Sequence, residues 1–101
     1  MKLKIPKSFK LFSSTINIKF DNEKCQIEDL LGECNLDDKL IVLSNSKNFK
    51  PLPEDTIIDT FYHEKVHMLL KALNRRELSS DEIFVDNLAM LLRQSDETTI
   101  Y

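Results

Sequence analysis

The chain has 101 residues, with 14 basic and 17 acidic side chains for a net charge of -3, and two cysteines. That length makes one domain with a modest core, and the charges are mixed along the sequence, so no basic face exists to hold a phosphate backbone and nucleic-acid binding is not expected. No apolar run approaches the roughly 18 residues of a membrane span, and residues 1–6 lead into charge instead of an apolar signal core, which points to a cytoplasmic protein with two reduced thiols, Cys25 and Cys34.

In chain order, residues 9–12 and 15–20 read as β-strands. In the second, Ile16, Ile18 and Phe20 alternate with Asn17 and Lys19, which defines one buried face. After a polar stretch, residues 32–36 and 39–43 flank Asp37-Asp38 at a spacing that suits a two-residue hairpin. Residues 44–53 read as a loop leading to a helix start at Pro53-Glu54-Asp55, where proline and acids occupy the first turn. From there to about Leu73, Ile57, Ile58, Phe61, Tyr62, Val66, Leu69, Leu70 and Leu73 recur at helical spacing. Their arc is wide enough to imply a helix covered on more than one side. Lys65 falls inside that arc, where its aliphatic stem is expected to snorkel.

The pattern breaks at residues 74–78, and Ser79-Ser80-Asp81-Glu82 opens a second helix to about Gln94. Residues 95–101 read as a tail beyond a single domain of residues 1–94. The expected fold is α+β: a small antiparallel sheet of three to four strands followed by two C-terminal helices.

The polar arc of the first helix carries His63-Glu64-Lys65-Val66-His67, an H-E-x-x-H motif that uses both histidines of the chain. Four residues is just over one helical turn, so both imidazoles project from one face and can hold a single ion, preferably Zn2+. Glu64, about 100° round the helix, falls beside that ion, where a carboxylate can act as general base on water. Catalytic zinc takes three protein ligands and leaves a fourth position open. No third histidine exists, so the remaining ligand must be a carboxylate or a thiol. Glu82 borders the face of the second helix that packs on the first, while Glu77 and Asp81 are fallbacks. Ser79-x-x-Glu82 can instead close a capping box, which would occupy the Glu82 carboxylate. Asp81 can serve as a cap. Asp86, one turn after Glu82, is placed either to accept the free ring N–H of a ligating histidine or simply to face solvent. Asp59 reads as an acid complementing the helix dipole, and Tyr62 as core.

At these residues the sequence resembles the gluzincin metallopeptidases, in which H-E-x-x-H is followed on a second helix by E-x-x-x-D. His63-Glu64-Lys65-Val66-His67 followed by Glu82-Ile83-Phe84-Val85-Asp86 matches that order. The stretch Asp86-Asn87-Leu88-Ala89-Met90-Leu91-Leu92 is similar to the small-residue and leucine pattern of the ImmA/IrrE-like peptidases and of small phage-encoded zincin-like proteins. The resemblance covers residues 54–94. It implies a zincin-like domain in which Glu82 is the third zinc ligand and Asp86 orients the first histidine. The function it implies is that of a zinc-dependent hydrolase, a minimal metallopeptidase acting on a cytosolic peptide or protein. A sheet edge beside the site, expected at residues 39–43, would hold the extended substrate. The alternative is a non-catalytic protein-interaction module whose zinc site is structural or vestigial, and a fourth protein ligand would mark it.

Overall fold

The computed structural model describes residues 4–101, and in it the alternation at residues 15–20 becomes the second strand of a four-stranded sheet. Residues 1–3, where the stretch read above as lacking a signal core begins, lie outside the described residues. Strand β1 (Ser8–Leu11) pairs antiparallel with β2 (Ser14–Phe20), with Phe9 opposite the fully buried Ile16. A short helix, α1 (Asn22–Ile27), follows. Asp21 caps it by accepting from the Lys24 backbone N–H at 3.0 Å, and its Cys25 is buried. Six residues are too few to display a helical period, so in sequence this helix reads only as a polar stretch.

Strands β3 (Gly32–Asn35) and β4 (Leu40–Leu43) form the expected hairpin with a longer turn. Asn35 lies opposite Leu40, its side chain accepts from the Asp38 N–H at 3.0 Å, and Lys39 turns the chain in the left-handed region at φ 53°. The sheet order is β1-β2-β4-β3. Its outer pairs are antiparallel, as expected, but β2 and β4 run parallel. The reason is the connection: the chain crosses through α1, returns along β3 at the edge, and then inserts β4 between β3 and β2. Strand β4 is therefore central, with Ile41, Val42 and Leu43 all buried, and the free edge expected at residues 39–43 is instead β3. An unbroken apolar run is what a strand covered on both faces requires. Residues 44–53, read as a loop, contain a small ribbon of β5 (Ser46–Lys47) and β6 (Lys50–Pro51), turned by Asn48 and Phe49 at φ 52° and 64°.

Helix α2 (Glu54–Ala72) starts where Pro53 and the first-turn acids place it. One flank packs on β3 and β4, the other on α4 (Glu82–Thr98), which accounts for the width of its apolar arc. The core joins Ile16, Ile41 and Leu43 of the sheet to Phe61, Val66 and Met68 of α2 and to Val85 and Ala89 of α4. Lys65 is held by cation–π contact, its Nζ 4.9 Å from the centre of the Phe9 ring and 5.7 Å from that of Phe61. Gly32, the single glycine, lets β3 lie close against α2, since a Cβ there would stand 2.7 Å from Thr60 Cγ2.

The break between the long helices holds a one-turn helix, α3 (Arg76–Ser79). Helix α4 is capped by Asp81, whose carboxylate accepts from the Phe84 N–H at 3.1 Å, so the Ser79–Glu82 capping box does not form. The helix runs past Gln94 to Thr98, into the expected tail, because its last turns are tied down. Tyr62 donates its hydroxyl to Asp96, and Glu97 accepts from Arg93. Among the described residues no helix is long and apolar enough to cross a membrane.

Candidate metal centre

Helix α2 presents His63 and His67 one turn apart, and the start of α4 brings Glu82 across to meet them. The two Nε2 atoms lie 3.1 Å apart, and Glu82 approaches His63 Nε2 at 3.4 Å through Oε2 and His67 Nε2 at 3.5 Å through Oε1. A tetrahedral ion with bonds of about 2.0–2.1 Å has ligand-to-ligand edges of about 3.3–3.4 Å. The three separations lie close to that range, and because Glu82 meets the two rings through different oxygens, a small divalent ion fits once the carboxylate turns one oxygen toward both. Failure of the capping box is what makes this possible. With Asp81 as the cap, Glu82 takes the first helical position and its carboxylate is directed to the histidines instead of to backbone N–H groups.

The far side of each ring is also engaged. His63 Nδ1 lies 2.8 Å from Asp86 Oδ1, and a carboxylate can only accept, so the ring proton sits on Nδ1 and the Nε2 lone pair faces the cluster. His67 Nδ1 lies 2.7 Å from Ser79 Oγ, and donation from the ring there again leaves Nε2 bare. With both rings in that tautomer, two imidazole lone pairs and a carboxylate converge, an arrangement that suits a cation. Burial, followed by the neighbouring His63, holds the His67 pKa below its ordinary value and keeps this ring in the neutral, ligating form.

Glu64 is buried, on the β3 side of the motif helix. Burial raises its pKa above the usual carboxylate range, with His63 opposing. The site opens into a groove of about 980 Å³ between β3 on one side and α2 and α4 on the other.

Of the sequence candidates, His63, Glu64, His67, Glu82 and Asp86 are brought together here. Glu77 is not; it faces solvent and pairs with Arg75 at 3.4 Å. Asp81 is spent on its cap. Asp59 lies at the far end of the groove, where its carboxylate accepts from Arg93. Cys25 and Cys34 are both free thiols, and Cys34 lines the groove. Sequence reasoning misses Ser79 as the partner of His67. A serine just before a helix reads as a cap, and only the one-turn α3 carries it back against the motif helix, where it is buried. No protein-family model matches this chain, and neither a curated protein nor a solved structure shows significant similarity to it, so the reading of the site rests on its own residues.

Proposed function

We propose that this chain is a zinc-dependent hydrolase, a minimal metallopeptidase acting on peptide or protein substrates in the cytoplasm. The observation that carries the reading is the convergence of His63, His67 and Glu82 within reach of one ion, with buried Glu64 next to His63 on the same helix. Bound there, Zn2+ would supply Lewis acidity toward a carbonyl and acidify water. The chain's own residues do the rest. Glu64 takes a proton from water and hands it to the departing amine. Asp86 and Ser79 fix the rings of His63 and His67 so that both Nε2 atoms stay aimed at one point. Among the described residues the outer edge of β3 pairs with no strand, and it borders the groove, so an extended peptide can add to the sheet there.

Among the described residues, no fourth His, Cys, Asp or Glu joins the cluster, which favours an open catalytic site over the closed site of a structural module. The two unpaired cysteines suit a reducing compartment. The test is Glu64→Gln, which keeps the side-chain shape and removes the base. Zinc content should stay at one per chain while peptide hydrolysis falls by about 100-fold or more. Equal hydrolysis by the wild type and Glu64→Gln would remove the catalytic claim. Full zinc with no hydrolysis by either would move the reading to an interaction module.

A further inference from the structure

Lys71 is the one lysine or arginine lining the groove among the described residues. It lies on α2 one turn beyond His67 and two turns beyond Glu64, and its stem reaches the edge strand, where its Nζ stands 3.6 Å from Cys34 Sγ. The other charges along the groove are acids, and all but Glu64, which feels the charge of Lys71 from two turns back on α2, have their own partner. Glu33 is bound by Lys24, Asp59 by Arg93, and Asp29 faces Lys47 at 3.7 Å. Glu82 and Asp86 are engaged with the histidines. Lys71 makes no ion pair with any described carboxylate, and Cys34 offers it no charge, because burial raises the pKa of that thiol and keeps it neutral. A half-buried ammonium with no described carboxylate at ion-pair distance, in a groove shaped for an extended chain, is a place for an anion carried by that chain.

The fold also gives a direction. Gly32 lies against Thr60 and Cys34 reaches Lys71, so β3 runs along α2 from the Thr60 end toward the Lys71 end, past Glu64. A peptide adding antiparallel to β3, the more stable pairing, runs the other way. Its N-terminal part then lies against Cys34 and Lys71, and its C-terminal part continues past Gly32. We propose that Lys71 is a carboxylate-binding subsite that selects peptides with an acidic side chain on the N-terminal side of the bond to be cleaved. The position of that bond rests on the hydrolase reading; the carboxylate preference itself does not.

The test measures binding, so that it does not depend on turnover. The probes are fluorescently labelled octapeptides of alanine and leucine, with amidated C-termini and a single Glu or Gln walked along them. A second set lacks the acid and ends either in a free carboxylate or in an amide. Both sets are titrated by anisotropy onto the Glu64→Gln chain, with and without one equivalent of zinc. Lys71→Met and Lys71→Arg are made in the same background, and their folding is checked by thermal melting. Glu peptides should bind about 10-fold more tightly than their Gln counterparts, as a charge-assisted hydrogen bond implies. The preference should vanish in Lys71→Met, persist in Lys71→Arg and weaken with added salt. A Lys71-dependent preference confined to the free-carboxylate arm would still assign the subsite, with the chain terminus as the source of the carboxylate. Equal affinities in both arms, or a preference that survives Lys71→Met, would overturn the proposal. A Lys71-dependent preference in a chain that fails to take up zinc would leave the subsite standing and remove the hydrolase reading instead.

Discussion

Two polar clusters join α2 to α4, one at each end of their interface, and they solve the same electrostatic problem in opposite ways. At the C-terminal end of α4, Arg93 bridges Asp55, Asp59 and Glu97, so three carboxylates surround a cation that the chain supplies itself. Hydrogen bonds donated to Glu97, then to Asp55, raise the Arg93 pKa further above its already high value, and the guanidinium stays charged. At the N-terminal end of α4, His63, His67 and Glu82 direct their lone pairs to a common point with no lysine or arginine among them. The first cluster is complete and ties two helices together. The second, in the proposed reading, takes its cation from outside. The contrast sets the candidate metal centre apart from an ordinary ion-pair cluster, although both lie between the same two helices.

The comparison predicts that mutations at the two ends separate cleanly. The largest effect belongs to the histidines: the His63→Ala, His67→Ala double mutant should lose stoichiometric zinc, measured by elemental analysis, and with it the rise in melting temperature that zinc gives the wild type. Full zinc occupancy in the double mutant would break the comparison. Next come the groups behind the rings. Asp86→Asn should weaken zinc by about 10- to 100-fold in chelator competition, and Ser79→Ala by about 10-fold, without abolishing it. Glu77→Gln, at a residue paired only with Arg75, should leave the affinity at the wild-type value. The smallest effect is at the other cluster. Arg93→Met should cost about 1 kcal/mol of stability, because its carboxylate partners are largely exposed, and this corresponds to a melting temperature lower by about 4–8 °C. Its zinc affinity should be unchanged. If Arg93→Met lost zinc as Asp86→Asn does, the two clusters would be one coupled system.

The features legible in the sequence are those written in local spacing. H-E-x-x-H fixes the relative placement of His63, Glu64 and His67 because one helix carries all three. Glu82 and Asp86 are legible as a pair one turn apart on a second helix, although which acid turns inward depends on whether Asp81 or Ser79 caps that helix, and both are plausible caps in sequence. The β3–β4 hairpin is legible from its flanking apolar runs. The parallel pairing of β2 with β4 is not, because strand order depends on where α1 carries the chain, and no periodicity records that. The same gap misplaces the free sheet edge, since residues 39–43 read as a strand without showing which neighbours it has. Ser79 and Lys71 escape for a related reason. Each owes its role to a residue on another element, His67 for one and Cys34 for the other.

The central claim, a three-ligand site of His63, His67 and Glu82 with an open fourth position, is tested most directly by X-ray absorption at the zinc edge on protein loaded with one equivalent of Zn2+. The account predicts four light-atom neighbours at about 2.0–2.1 Å, two of them with the outer-shell signature of imidazole, and no sulfur. Cys34 lines the same groove, which makes sulfur the informative alternative. A zinc–sulfur distance of about 2.3 Å, or a shell without two imidazoles, would contradict it.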